Sequence, residues 1–278
     1  MRKNKLVAPI LKWVGGKRQL LDILTPLLPN RISAYCEPFV GGGALLFSIQ
    51  PSKAYVNDIN QDLILVYTVI RDDVESLILA LADFKNEADF FYAVRDWDRD
   101  KEKYASLSDV ERAARIIYLN KTCYNGLYRV NSVGEFNSPF GSYKNPNIVN
   151  APVLRAVSAY FNDATIQFSS TDYVEVLQGV SKGTFVYLDP PYDPVSTTSN
   201  FTGYSKGGFT QDDQIRLREC CDQLNANGIK FMLSNSATEF IKEQYAAYHI
   251  TIVQAKRAIN SVGSKRGDID EVIIRNYE

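Results

Sequence analysis

Thr184-Phe185-Val186-Tyr187-Leu188-Asp189-Pro190-Pro191-Tyr192 is the stretch from which the fold of this chain is best read. Its first five residues form an apolar run of strand length, so the next four fall at a strand's carboxyl end. In open α/β sheets, ligands bind at that end. Pro190 and Pro191 supply no backbone N–H and bias Asp189 and Pro190 toward extended geometry, leaving carbonyl oxygens as unopposed acceptors. Asp189 and the Pro190 carbonyl could each accept one hydrogen of an exocyclic amine while the Tyr192 ring stacks on a planar base. A plain strand-terminating turn is the alternative, since Asp-Pro and Pro-Pro are ordinary loop punctuation.

A second segment, Glu37-Pro38-Phe39-Val40-Gly41-Gly42-Gly43-Ala44, precedes the apolar helical stretch Leu45 to Ile49. Three glycines between a strand and a helix let backbone approach a ligand closely, which makes this a cofactor loop or a flexible turn. Neither phosphate-binding pattern is met: Gly15-Gly16-Lys17 is followed by Arg18 instead of Ser or Thr, and Gly41-Gly42-Gly43 lacks the dinucleotide spacing. Ala54-Tyr55-Val56 reads as a short strand leading to Asp58, which suits either a ribose-binding carboxylate or the N-cap of a helix through Leu63-Ile64-Leu65.

With 278 residues and 45% hydrophobic content, the chain can hold one large α/β core and a smaller lobe. The lack of a bilayer-length apolar run or a signal-like start leads us to expect a cytoplasmic protein. Cys36, Cys123, Cys220 and Cys221 have no metal-ligand spacing, and the only histidine, His249, sits in a strand-like run, so neither metal nor Ser/His/Asp chemistry is expected.

Net charge is −1, yet the sign is unevenly distributed. The first eighteen residues carry Arg2, Lys3, Lys5, Lys12, Lys17 and Arg18 with no acid, and Lys256, Arg257, Lys265 and Arg266 form a second basic group. Acids dominate from Asp72 to Glu111, a face expected to avoid phosphate. If the basic groups converge they make a phosphate-binding surface, and otherwise they are solvated charge.

Strand and helix signals alternate at both ends of the chain. A helix is expected near Gln19 to Leu27, strands at Thr165–Phe168, Thr184–Leu188, Lys230–Leu233 and His249–Val253, and helices near Asp212–Asn225 and Thr238–Tyr245. Between them, Leu63 to Leu119 has helical periodicity. Tyr124 to Asn150 is rich in Asn, Gly, Ser, Tyr and Pro, with a hairpin turn at Asn131-Ser132-Val133-Gly134. This divides the chain into residues 1–62, the first part of a cofactor-binding catalytic domain; 63–151, a target-recognition domain; and 152–278, the second catalytic part.

Lys12-Trp13-Val14-Gly15-Gly16-Lys17, the Glu37-to-Ala44 loop, Asn57-Asp58-Ile59-Asn60 and Asp189-Pro190-Pro191-Tyr192 follow one another in the order found in a known family. The chain resembles the Dam-type DNA adenine methyltransferases acting on GATC, including orphan Dam enzymes and DpnII-type relatives. Tyr124-Asn125-Gly126-Leu127-Tyr128-Arg129, Gly134 to Gly141, Asn200-Phe201-Thr202 and Lys256-Arg257-Ala258-Ile259 extend the likeness through nearly the whole chain. The resemblance implies an S-adenosylmethionine-dependent, Rossmann-like doubly wound and mostly parallel sheet with an inserted helical and hairpin DNA-recognition domain. It further implies that Trp13, Gly15 and Lys17 enclose the cofactor's methionine end, Phe39 and Gly41 line the loop, Asp58 holds the ribose with Ile59 against adenine, and Asp172 contacts the cofactor's adenine. Asp189 would border the cofactor as well as the target base. Asp172 is equally placed to cap a helix.

On the DNA side the resemblance implies that Arg129 reads guanine, Leu127 and Pro139 meet a thymine methyl, Tyr143 lies near the remaining pair and Lys12 contacts the outer guanine. Tyr124, Asn125 and Asn137 belong to the same DNA-contacting set. An Arg129 grip on phosphate is the alternative to base readout. The expected partner is double-stranded DNA, with a cognate restriction endonuclease as a genetic partner. The expected reaction is methyl transfer to adenine N6 after base flipping, with Asp189, Pro190 and Tyr192 as the catalytic set. The glycine-rich, aromatic Asn200-to-Gly208 segment is a candidate lid. The competing readings are an amino-methyltransferase of another base or sequence, and a module that binds cofactor and DNA without catalysis.

Overall fold

The computed structural model describes residues 3–13, 15–195, 208–256 and 268–278. Arg2, the 200–207 part of the candidate lid, Arg257, Ala258, Ile259, Lys265 and Arg266 lie outside the described residues. The strands are β1 Ala34–Glu37, β2 Lys53–Asn57, β3 Thr165–Ser169, β4 Thr184–Leu188, β5 Lys230–Ser236, β6 His249–Lys256 and β7 Asp268–Arg275. Two compact units interleave along the chain: residues 1–16, 41–52 and 60–170, and residues 17–40, 53–59 and 171–278. This division differs from the linear one expected from sequence: segment 1–16, the helix after the glycine loop and residues 152–170 group with the helical insertion.

The second unit contributes its six strands in the order β2-β1-β4-β5-β7-β6. β1 pairs in parallel with β2 (Cys36 beside Tyr55) and with β4 (Cys36 beside Val186), and β4 pairs in parallel with β5 (Val186 beside Phe231). β7 enters antiparallel between β5 and β6. All five β4 residues are buried, as a strand covered on both faces requires. Cys36, Val186, Leu188, Phe231, Leu233, Val272 and Ile274 share one core with Leu217 and Leu224 of the Gln211–Ala226 helix. Each large side chain so buried stabilises the fold by about 1.5–3 kcal/mol.

The first unit is mainly helical: Ala44–Ile49, Gln61–Asp72, Val74–Ala82, Ala88–Arg95, Lys101–Ser106, Asp109–Thr122 and Ala151–Asp163, with strand β3. Local chemistry sets the starts. Asn60 and Asp73 each cap the helix that follows, and Ser108 with Glu111 forms a reciprocal capping box. The N-cap role considered for Asp58 therefore belongs to Asn60. Phe47, Tyr67, Phe161 and Phe168 pack ring against ring in the core of this unit.

One correction concerns charge. The acid-rich segment is not a uniformly negative face, because Asp98 is buried against Arg115 at 2.8 Å and Glu75 pairs with Arg155 at 2.7 Å. All four cysteines are buried and unbridged. Among the described residues, no helix is long and apolar enough to cross a membrane, and no group of His, Cys, Asp and Glu is arranged to hold a metal ion.

Candidate active site

In the second unit, β1 has β2 on one side and β4 on the other, so the chain order reverses between β1 and β4. Because β1, β2 and β4 are parallel, the residues at or just after their carboxyl ends, Glu37, Asp58 and Asp189, emerge along one sheet edge. A crevice at such a switch point is where open α/β sheets bind ligands. Glu37 is buried and accepts a 2.8 Å hydrogen bond from the Tyr35 hydroxyl. Asp58 is half-buried, and Ile59 beside it is 58% exposed, an apolar side chain held at the surface.

Asp189 leaves β4 and meets Lys17, whose buried ammonium Nζ lies 2.9 Å from Asp189 Oδ1. The same Nζ sits 4.5 Å from the centre of the Tyr192 ring. Burial pushes the Asp189 carboxyl up to about 6, against the opposing pull of Lys17, while the Glu271 carboxylate adds to the rise. Lys17 thus holds a desolvated carboxylate in its ionised, accepting form at neutral pH.

The Asp-Pro-Pro-Tyr turn is fixed from several sides. The Gln214 amide donates to the Pro191 carbonyl at 2.9 Å, and the Asp193 N–H donates to Asn235 Oδ1 at 3.0 Å. Asn235 Nδ2 in turn donates to Gln214 Oε1, which links the two contacts. Thr238 donates to Asp193 Oδ2, and the Tyr192 hydroxyl donates to Glu271 Oε2 at 2.8 Å. These linked hydrogen bonds hold the turn in one geometry.

A second hub is Asn57, buried at the end of β2. Its Nδ2 donates to the carbonyls of Pro38 and Thr171, its Oδ1 accepts from Thr171 N–H, and its own carbonyl accepts from Val40 N–H. One carboxamide therefore ties together the segments that carry Phe39, Asp58 and Asp172. Phe39 packs on Tyr173 and Phe209 at 5.1 and 6.1 Å. Asp172 caps the Tyr173–Gln178 helix through Val174 N–H and makes a two-pronged pair with Arg216 at 3.0 and 3.1 Å.

In the first unit, Trp13 stacks on Tyr128 at 5.1 Å, with Gly41 against the edge of its indole. Gly41 has φ +47, and a Cβ there would lie 2.8 Å from Trp13 Cδ1, so both conformation and space require glycine. The close approach that this glycine permits is thus to Trp13. Tyr67 donates to the Gly41 carbonyl at 2.7 Å, and Gly15 is exposed with φ +77.

The hairpin also forms in this unit. Val130 bridges Phe136, and Gly134 closes the expected turn at φ +87. Arg129 is exposed and donates to the Asn137 side chain and carbonyl at 2.7 and 3.2 Å. Behind it, Asp98 accepts from Phe136 N–H while Arg99 donates to the Phe136 carbonyl. Tyr124 N–H bonds the Pro139 carbonyl, and Lys12 Nζ lies 5.7 Å from the Tyr143 ring. Lys12, Tyr124, Asn125, Arg129 and Pro139 are exposed, and Leu127, Asn137 and Tyr143 are half-buried. Asn120 bonds both Lys12 backbone groups and the Gly126 carbonyl, fixing Lys12 to this segment.

Sequence reasoning did not single out Asn57, Gln214, Asn235 or Glu271, whose partners are distant in the chain. Only the polar residues interrupting Lys230–Ser236 at Ser234-Asn235-Ser236, all buried, carried a readable signal.

An open α/β sheet with an Asp-Pro-Pro-Tyr turn at its switch point is the arrangement the sequence resemblance leads one to expect of a methyltransferase acting on an amino nitrogen. Residues 13–259 match the family described as D12 class N6 adenine-specific DNA methyltransferase, and the chain belongs to that family. It is 43% identical over 280 residues to the type II methyltransferase M1.LlaDCHI of Lactococcus lactis subsp. cremoris, covering 100% of this chain and 98% of that one. It is 44% identical to the type II methyltransferase M.MjaIII of Methanocaldococcus jannaschii, covering 98% and 99%. The DNA adenine methylase of Escherichia coli (strain K12) is 34% identical, covering 98% and 95%. The chain is a DNA adenine-N6 methyltransferase.

Proposed function

We propose that the chain methylates adenine within GATC, using S-adenosylmethionine and a target base rotated out of the duplex. The observation that carries the catalytic reading is the half-buried Asp189, paired with the Lys17 ammonium at 2.9 Å and next to the Pro190 carbonyl and the Tyr192 ring. Adenine's amine is a poor nucleophile because its lone pair is delocalised into the ring. Hydrogen bonds from its two hydrogens to Asp189 and the Pro190 carbonyl favour a pyramidal nitrogen with a localised pair, and they place acceptors where positive charge develops. No covalent enzyme intermediate is needed. Tyr192 stacks on the extruded base and offsets part of the few kcal/mol that unstacking costs.

The residues at the sheet edge fit S-adenosylmethionine: half-buried Asp58 would hold ribose hydroxyls, and exposed Ile59 would supply an apolar wall for adenine. Phe39, Gly41, Trp13, Gly15, Lys17 and Asp172 complete the proposed set. Bound there, the cofactor supplies an electrophilic sulfonium methyl for in-line transfer. GATC recognition rests on the Arg129 hairpin, with Lys12, Tyr124, Asn125, Leu127, Asn137, Pro139 and Tyr143. Membership of a restriction system, with an endonuclease as genetic partner, is compatible with the type II methyltransferases among its relatives.

The test is transfer of labelled methyl from S-adenosylmethionine to plasmid DNA, with and without prior methylation at GATC. Label should enter only the unmethylated plasmid, and Asp189→Ala should abolish it. Equal labelling of both plasmids would exclude GATC, and an active Asp189→Ala variant would exclude the mechanism.

A further inference from the structure

The proposed reaction asks Tyr192 to present one face of its ring to a base, yet the residue follows two prolines in a turn without regular structure. A half-buried ring on such a segment needs a second point of attachment if its plane is to be fixed. Its hydroxyl supplies one, donating to Glu271 Oε2 at 2.8 Å. Glu271 has a rigid base: it lies on β7, paired with Ser236 of β5 on one side and Val253 of β6 on the other. Ser236 follows Asn235, which holds the next residue of the turn, Asp193. Tyr192 is therefore anchored at its tip by Glu271 and at its backbone by the Asn235 contact to its neighbour, while Lys17 Nζ lies over the ring.

We infer that Glu271 is a positioning residue for methyl transfer, holding the Tyr192 ring through its hydroxyl in the plane that receives the extruded adenine. The inference rests on the reading of Tyr192 as the stacking residue. Glu271 acts as an acceptor, so glutamine, whose carbonyl still accepts, should preserve the role while leucine removes it.

Single-turnover methylation is measured for wild type, Tyr192→Ala, Tyr192→Phe, Glu271→Gln, Glu271→Leu and the Tyr192→Phe/Glu271→Leu double variant. In parallel, DNA carrying 2-aminopurine at the target adenine reports the stacking of the extruded base through its emission. Tyr192→Phe and Glu271→Leu should each slow transfer by roughly tenfold, the scale of one hydrogen bond to a charged group. The double variant should be no slower than either single one, since both remove the same contact. Glu271→Gln should stay within about threefold of wild type, a neutral acceptor being weaker than a charged one. Tyr192→Phe and Glu271→Leu should share one altered emission, and Glu271→Gln should match wild type.

A wild-type rate in Glu271→Leu, or losses that multiply in the double variant, would overturn the inference. Should leucine disrupt β7, Tyr192→Phe decides alone, because it leaves the strand untouched: unchanged rate and emission would dismiss the anchor. Full activity in Tyr192→Ala would instead overturn the stacking reading itself. Loss in Tyr192→Ala with none in Tyr192→Phe or Glu271→Leu would leave stacking standing and remove only Glu271.

Discussion

Replacing Lys17 by Gln removes the ammonium 2.9 Å from Asp189 Oδ1 without adding bulk. With Lys17 present the Asp189 carboxyl stands at about 6, raised by burial and partly restored by that ammonium. An adjacent opposite charge lowers a carboxyl by roughly 1–3 pH units, so its loss should carry Asp189 to about 8. At pH 7.5 the ionised share would drop from nearly all to about one quarter, since each pH unit is a tenfold change in that ratio. Turnover at pH 7.5 should then fall about fourfold beyond any constant loss from the missing cation over the Tyr192 ring. Raising the pH to about 9 should restore the ionisation-dependent part, as the carboxylate is again more than nine-tenths formed. The assay is the pH profile of kcat/KM for DNA in labelled methyl transfer, which reports the enzyme before DNA binds. Wild type should lose activity as pH falls through about 6, and the variant through about 8. A deficit that is the same at every pH, with the acid limb unmoved, would refute the assignment of Lys17 as the group that keeps Asp189 ionised.

The same raised carboxyl bears on stability: folded Asp189 binds a proton more tightly than unfolded Asp189, so its contribution is full below about pH 4 and is lost as pH rises through about 6. Denaturant unfolding of wild type against Asp189→Asn should show wild type losing up to about 3 kcal/mol relative to the variant across that window, and a flat difference would contradict the burial. Arg129→Ala, assayed at one salt concentration on GATC and on singly substituted sites, should lose rate on GATC but little on the site altered at the guanine it reads, whereas a uniform loss would make it a phosphate contact. Gly41→Ala should cost more than Gly134→Ala in thermal unfolding. Both place a side chain at positive φ, at about 1–2 kcal/mol, but only Gly41 also drives a methyl into Trp13. Equal costs would show that Trp13 yields freely.

The parallel half of the sheet was legible because its strands are short apolar runs ending in loop chemistry, and Thr184–Leu188 coincides with β4. β7 was not, since Asp268, Asp270 and Glu271 interrupt the pattern and only Val272-Ile273-Ile274 reads as buried. Ala151–Asp163 was missed as well; its Pro152 marks a helix start, a signal outweighed by the turn-rich residues before it. At the site, Asp189 and Tyr192 announce themselves by adjacency in one motif. The Lys17 pair, the Asn57 hub and the Glu271 anchor depend on strands and loops meeting in three dimensions, which no local pattern encodes. The hairpin turn was readable from Asn131 to Gly134, but the buried Asp98–Arg115 pair supporting it came from a segment read as surface acid.

The place of β7 has a consequence for how the protein comes into being. β6 precedes β7 in the chain but lies beyond it in the sheet, so during vectorial synthesis β6 must wait, its edge unpaired, until the following strand inserts between it and β5. Until β7 also pairs with β5, the β5 edge stays open to misassociation. The strand that ends the wait also carries Glu271. Placement of β7 and the Tyr192–Glu271 hydrogen bond are therefore linked, and a nascent chain whose last strand is not yet in the sheet lacks that contact.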